Sequence, residues 1–520
     1  MAAVRNLLFV MCDQLRRDHL SCYGGRVPTP NIDALAARGV RFEHAYVQSG
    51  VCGPSRMSYY TGRYVSSHGA TWNRVPLSLT QPTLGDYLAR AGRFIALAGK
   101  SHAMRDEAGI ARFAVDEATP HGRRLVADGF VEVDRYDGHT PPGPESGYGD
   151  FLRAHGYASD DPWTDFAIAA MDGDRVASGW HMRNVHLPSR VAEAHSETAY
   201  MTDVALDWIR AQGESPWALH LSYVKPHWPY VAPAPYHAMF RGAGVALGPI
   251  VHGPQDGTAD EHPVVAAYRT HDESVSMGRE EVARHVRPAY MGLVAQVDAH
   301  VGRLVGALRA AGRLQDTLIV LTSDHGEFLG DRGLGEKELF YDEVVRVPLI
   351  VVDPDPRADA TRGNVEARMV EAVDLVPTFV DALGVAGSTY CDGRSLLPLL
   401  RGGATAWRDD VLCELDYGFR RARLALGRGP AECRGFMVRT CDWKYVHWEG
   451  LRPQLFDLAG DPLELADLGA DPRLDAVRRA MRERLMDRLA TLRHRVTLDD
   501  AEILARTDNH RTRGVHIGIW

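Results

Sequence analysis

The chain has 520 residues, 45% of them hydrophobic, with a net charge of −9. That length fills a large core in one or two unequal domains, and an acidic balance without a basic stripe excludes a nucleic-acid surface. Seven cysteines (Cys12, Cys22, Cys52, Cys391, Cys413, Cys433 and Cys441) have no paired spacing, which favours reduced thiols and a cytoplasmic enzyme.

In chain order, residues 7–12 form an unbroken apolar run ending in Asp13-Gln14, the pattern of a central parallel strand with polar residues at its carboxyl end. The run is too short to be a signal or membrane segment. Pro28-Thr29-Pro30-Asn31-Ile32-Asp33 then caps a helix that runs through Arg38. In Cys52-Gly53-Pro54-Ser55-Arg56, Pro54 sets a helix entry, Ser55 is a capping residue and Thr61-Gly62 closes the helix. Cys52 thereby stands just before a helix N-terminus, where amides and the dipole favour anions.

A helix over 83–91 leads to a strand over 94–98, which ends in Gly99-Lys100-Ser101-His102. Residues 102–195 are rich in Gly, Pro and Asp and read as excursions over a site. A helix over 197–212 feeds a strand over 217–224, which ends in Lys225-Pro226-His227. Residues 279–311 predict one long amphipathic helix or two, and a strand over 317–322 ends in Ser323-Asp324-His325-Gly326-Glu327, with Lys337 a short loop away. A strand over 347–352 and a helix over 370–383 follow. Residues 435–448 alternate as a strand does, 453–468 predict a strand, a turn and a helix start, and 472–492 an Arg-rich helix before a polar tail. No internal repeat or low-complexity tract is present.

Asp13, Lys100, His102, His227, Asp324 and His325 each lie at or just past the carboxyl end of a predicted strand. In an open α/β sheet those ends share one edge, where ligands bind. Of 59 basic residues only Lys100, Lys225, Lys337 and Lys444 are lysines, so a compact ammonium is wanted at some of these positions.

Cys52-Gly53-Pro54-Ser55-Arg56 with Thr61-Gly62-Arg63 behind it resembles the signature of the cysteine-type sulfatases, and residues 453–468 resemble an element of their small C-terminal domain. The resemblance runs from Asp13 to about Leu468. It implies an α/β fold, with an alkaline-phosphatase-like central mixed sheet, helices on both faces and a small C-terminal sheet-and-helix domain, divided as residues 1–385 and 386–520. It also implies that a formylglycine-generating enzyme oxidises Cys52 to formylglycine. The hydrated aldehyde would attack the ester, and the covalent sulfo-enzyme hemiacetal could expel sulfate by C–O cleavage, which a serine ester could not do.

The same resemblance implies one divalent metal on Asp13, Cys52, Asp324 and His325, lowering the pKa of the diol oxygen and neutralising charge on the ester. Few carboxylates and one nitrogen suit Mn²⁺ better, with Ca²⁺ as the alternative. Arg56 is expected to hold the diol, Lys100 the sulfate and diol, and His102 to take the diol proton. His227 would contact an ester oxygen. Lys337 would serve the leaving oxygen, its pKa depressed by electropositive surroundings. Gln14 is expected either to stand behind the ligands or to contact substrate, and Asn73 to contact substrate.

Gln14, where many sulfatases carry a second Asp, and His325 together look like the choline-sulfatase and phosphonate monoester hydrolase branches. In the phosphonate branch the Lys-X-His pair is commonly replaced by uncharged residues, so Lys100 and His102 lean towards sulfate. The expected activity is hydrolysis of aryl or small alkyl sulfate monoesters. The alternative is phosphonate monoester and phosphodiester hydrolysis, and more remotely non-catalytic binding of sulfated ligands. Neither nucleic acid nor membrane is an expected partner, and a homo-oligomer is expected, with the terminal Ile519-Trp520 docking on a neighbouring subunit.

Overall fold

β1 (Asn6–Asp13) is buried along its whole length and its side chains divide between two cores. Leu7, Phe9 and Met11 join one apolar cluster, while Leu8, Val10 and Cys12 join the other. This period of two is what a strand covered on both faces must show. The computed structural model describes residues 4–516 apart from 243, 244, 246, 253–260, 388, 389, 404, 405, 494, 499, 508, 510 and 515, so Ile519 and Trp520 lie outside the described residues.

The remaining strands are β2 (Val40–Tyr46), β3 (Ile95–Gly99), β4 (Phe130–Arg135), a small hairpin of β5 (Ala169–Asp172) and β6 (Arg175–Ser178), β7 (Ala218–Pro226), β8 (Thr317–Ser323), β9 (Leu349–Val352) and β10 (Val365–Glu371). Seven of these join β1 in an eight-stranded mixed sheet ordered β10-β2-β9-β8-β1-β7-β3-β4. β1 runs parallel to β7 and β8, and β9 is antiparallel to both of its neighbours. Carboxyl ends of β1, β3, β7 and β8 therefore meet on one edge, as a crevice-forming α/β sheet requires.

Helices Glu197–Ala211 and Glu280–Ala310 cover one face, and Cys52–Thr61 and Leu375–Ala382 the other. Residues 280–310 are a single helix that accommodates Pro288. No helix among the described residues is long and apolar enough to cross a membrane. No disulfide joins the cysteines among the described residues.

The structure corrects the helix predicted over 370–383. β10 runs to Glu371, a 3₁₀ turn spans Ala372–Asp374, and the helix begins only at Leu375. Glu371 and Asp374 are the reason: each accepts the other's backbone amide in a capping arrangement that separates strand from helix. β2, β4 and β10 went unpredicted because they are half-buried and mix polar with apolar residues.

In the last third, β11 (Val411–Asp416), β12 (Arg434–Arg439), β13 (Trp443–Trp448) and β14 (Gln454–Asp457) form an antiparallel sheet. The alternation over 435–448 is thus a hairpin of two strands, and a turn rather than a helix start follows β14. Met437 and Trp448 on one face join the same apolar cluster as Phe340 and Val344, whereas Val438 and Tyr445 on the other receive Met481 and Leu485 of helix Asp475–Ala490.

Candidate active site

The helix that carries Cys52 is buried at every residue and starts at Cys52 itself, with extended Val51 before it. Pro54 lies in the first turn, where its missing N–H removes no helical bond. Ser55 is not the cap; its hydroxyl donates to the Asp324 carbonyl at 2.6 Å and ties the helix to the end of β8. Gly62 closes the helix in the left-handed region (φ 68°), as the Thr61-Gly62 pair predicts. The amide of Gly53, one of the first-turn donors without a helical partner, donates to Asn73 Oδ1 at 2.7 Å. Asn73 therefore fixes the helix start, and it also lines the cavity above.

Register brings the acids together: Cys12 of β1 pairs with Ser323 of β8, so Asp13 and Asp324 emerge side by side. Cys52 Sγ stands 3.1 Å from His325 Nε2 and 3.9 Å from Asp13 Oδ1. His325 Nε2 is 3.6 Å from a carboxylate oxygen of each of Asp13 and Asp324. Its Nδ1 donates to the Gly326 carbonyl at 2.9 Å, which fixes the tautomer and leaves Nε2 as a donor of electron pairs.

These four side chains are fully buried and their ligand atoms all lie within 4.8 Å of one another. Asp13 Oδ2 meets the Lys100 ammonium and lies 3.5 Å from Arg56 Nη2, which leaves Asp13 Oδ1 turned towards Cys52 and His325. Two carboxylates, one oriented imidazole and the residue-52 side chain fit a single divalent cation with mixed oxygen and nitrogen donors. The electrostatics agree. Burial pulls His325 down, but Asp324 and Cys52 outweigh it and lift the imidazole to about 9, the response of a site that asks for positive charge.

Cations enclose the other side of Cys52. Buried Arg56 donates through Nε to Asp324 Oδ2 at 2.8 Å and through Nη1 to the Lys100 carbonyl at 2.8 Å and Ser222 Oγ at 2.7 Å. The Lys100 ammonium contacts Asp13 Oδ2 and lies 2.6 Å from His139 Nε2. Burial pushes the Asp13 carboxyl up, yet Lys100 foremost, then His227 and Arg56, hold it well below the usual range. His102, at the cavity wall with no partner on Nδ1, is kept neutral by burial and by Lys100.

Lys337 Nζ lies 2.8 Å from His227 Nε2, while His227 Nδ1 donates to the Trp228 carbonyl at 2.6 Å. Lys337 also donates to Gln14 Oε1 at 3.0 Å, and Gln14, fully buried, stands behind it. The expected depression of Lys337 is corrected: burial does pull it down, but Cys52, Glu336, Asp13 and Asp324 raise it well above the usual range. Its surroundings are carboxylates rather than a cationic surface.

All eleven residues singled out from sequence meet in this one region. His139 was missed. It sits in the Gly- and Pro-rich excursion after β4, where no periodicity marks it, and only its place in Asp137-Gly138-His139 gave a signal. Asp13, His139 and His227 form a second ligand-like trio, but ammonium groups already stand at both imidazole nitrogens. The cavity above Cys52 has a volume of about 1100 Å³. Trp72, stacked on Phe419 at 5.7 Å, and Trp180 against Trp228 at 4.7 Å give it aromatic walls.

The chain matches the sulfatase family over residues 5–385 and the C-terminal part of the N-sulphoglucosamine sulphohydrolase family over residues 330–491. It is 32% identical over 519 residues to the multifunctional alkaline phosphatase superfamily protein PehA of Trinickia caryophylli, covering 94% of this chain and 97% of that one. Choline-sulfatase of Rhizobium meliloti is 28% identical, over 90% of this chain and 83% of its own length. Among solved structures, phosphonate monoester hydrolase SpPMH from Silicibacter pomeroyi superposes with a TM-score of 0.82 at 30% identity, covering 95% of this chain and 97% of that one.

Proposed function

This chain belongs to the sulfatase family, a branch of the alkaline phosphatase superfamily, and from that premise we propose that it hydrolyses aryl or small alkyl sulfate monoesters through residue 52. The observation that carries the reading is the meeting of Cys52 with Asp13, Asp324 and His325 on one side and Arg56, Lys100 and His102 on the other, beneath one open cavity. Oxidised to formylglycine and hydrated, residue 52 supplies a diol oxygen as nucleophile, and a divalent cation, Mn²⁺ before Ca²⁺, held by Asp13, Asp324, His325 and residue 52 supplies Lewis acidity.

The chain's own groups do the rest. Arg56, locked by Asp324 and Ser222, orients the attacking side chain. Lys100 offers its ammonium to the sulfuryl oxygens, and His102, neutral with a free Nδ1, accepts a proton when the covalent ester collapses. His227 steers the ester, and Lys337 delivers positive charge and a proton to the departing oxygen. Because Cys52 is only 1% exposed, a formylglycine-generating enzyme has to reach it before the chain folds. A cytoplasmic homo-oligomer acting on small-molecule esters, with no nucleic acid or membrane partner, completes the proposal.

A second activity at the same site, on phosphonate monoesters and phosphodiesters, is favoured by the 30% identity and 0.82 TM-score to a phosphonate monoester hydrolase. The Lys100–His102 pair ranks sulfate first. Two measurements test this. Mass spectrometry of the peptide spanning Cys52 should find an aldehyde; a wholly unmodified thiol in natively produced, active protein rules out the diol. Paired steady-state rates on an aryl sulfate and its phenylphosphonate counterpart should favour the sulfate, and a clear phosphonate preference reverses the order.

A further inference from the structure

Lys337 lies in the irregular stretch between β8 and β9, flanked by Glu336 and Glu338, both with positive φ (62° and 97°), so no regular element aims its long side chain. Three groups meet its ammonium: His227 Nε2 at 2.8 Å, Glu336 at 3.3 Å and the Gln14 amide, whose Oε1 accepts from Nζ at 3.0 Å and which is the one of the three anchored to β1. Gln14 is itself held on every side. Its backbone N–H donates to Asp324 Oδ1 at 3.0 Å, its carbonyl accepts from Tyr290 Oη at 2.7 Å, and its φ of 67° persists only because these contacts over-determine it. On the far side, Gln14 Nε2 donates to Oε2 of Glu327. Glu327 is completely buried; its Oε1 accepts the Leu329 amide at 3.0 Å and its carboxyl is also bonded by the Tyr230 hydroxyl.

An ammonium can only donate, so the amide beside it must present its oxygen to Lys337, and its nitrogen then faces an accepting carboxyl oxygen of Glu327. We infer that Glu327 is a positioning residue for departure of the leaving group: it locks the Gln14 amide, and that amide aims the Lys337 ammonium beside His227. The inference rests on reading Lys337 as the group that serves the departing oxygen. Nothing in the sequence suggests it, since Gln14 and Glu327 are 313 positions apart and meet only because β1 and β8 are neighbours.

The test is the dependence of kcat/KM on the pKa of the departing phenol, measured across a series of aryl esters of whichever class, sulfate or phosphonate, the enzyme turns over faster. Lys337→Ala should steepen it, because proton donation matters most for basic phenols. Glu327→Ala should steepen it too, losing on the order of tenfold more on the most basic phenol than on 4-nitrophenol, part of the typical 10²–10⁴ from general acid catalysis. Glu327→Gln, which can still accept from Gln14, should recover most of the shallow dependence. If Glu327→Ala does not fold, Gln14→Leu removes the same bridge while keeping volume and carries the same expectation. Uniform loss across all phenols in these variants, with a steep Lys337→Ala, overturns the role of Glu327 alone. A shallow Lys337→Ala instead overturns the reading of Lys337.

Discussion

Each of the four lysines has its ammonium buried, in a protein that otherwise meets water with arginine. Lys100 and Lys337 face the reaction site. Lys225 donates to the Pro229 carbonyl at 2.9 Å and meets Glu197 at 3.0 Å, propping the loop that carries His227. Lys444 sits between Asp342 at 2.7 Å, Glu464 and the Phe340 carbonyl at 2.9 Å, which joins the C-terminal sheet to the segment following Lys337. Arginine is buried here too, Arg56 among them, so what sets the four positions apart is a compact ammonium rather than burial as such, as the scarcity of lysine in the sequence implied. Replacing Lys444 with Met leaves buried Glu464 without its ammonium, and leaves half-buried Asp342 only Arg346 at 3.5 Å and Arg439 at 4.0 Å. Unfolding by denaturant should find Lys444→Met less stable by about 3–5 kcal/mol. A loss below about 1 kcal/mol would mean the ammonium is not the tie between the two parts.

At the level of elements, the strands that end in chemistry depend on close backbone approach as much as on side chains. Gly99 closes β3 at φ 99°, and a Cβ there would meet the Ser222 carbonyl oxygen of β7 at 2.0 Å. Backbone cannot yield as a side chain can, so the end of β3 would have to move, taking with it the Lys100 amide bonded to that same carbonyl and the Lys100 carbonyl bonded to Arg56. Gly99→Ala should cost more than about 2 kcal/mol in stability and lower kcat for the folded fraction, because both strain and displacement act there. Full activity in a stable Gly99→Ala protein would show that Lys100 need not hold its place. Elements of this kind were legible in sequence where an apolar run is covered on both faces, as in β1, β7 and β8, and the rule that polar residues emerge at strand ends brought Asp13, Lys100, Asp324 and His325 to one edge. The half-buried β2, β4 and β10 lacked that signal. His139 and the Gln14–Glu327 contact were hidden for a different reason: one lies on an irregular excursion, and the other depends on strand order, which no local pattern encodes.

Over the whole molecule, two opposed groups of buried side chains contribute to the pH dependence of stability. Burial pushes His68 and His220 down to about 3 and His262 and His271 to about 4. These bases stay neutral when folded and take up protons near pH 6.5 when unfolded, so their stabilisation is complete above pH 6.5 and is lost as pH falls. Burial pushes the carboxyls of Asp128, Glu338 and Glu414 up to about 7. They are protonated when folded and ionise near pH 4 when unfolded, so their contribution is complete below pH 4 and is lost as pH rises to 7. Between pH 4 and 6.5 the groups oppose each other; above 6.5 only the carboxyls still act, so stability should fall until about pH 7 and level off by pH 8. Asp128 isolates the effect. It lies far along the sheet from Cys52, just before β4, its Oδ2 has no hydrogen bond, and Glu132 and Asp86 oppose its charge against Arg135. Asparagine keeps the shape, tolerates the φ of 51°, and cannot ionise. At about 1.4 kcal/mol for each unit of pKa displacement, Asp128→Asn should match the native protein at pH 4.5 and melt about 2–4 °C higher at pH 8. An equal gain at both pH values would mean that packing, not ionisation of Asp128, sets the difference.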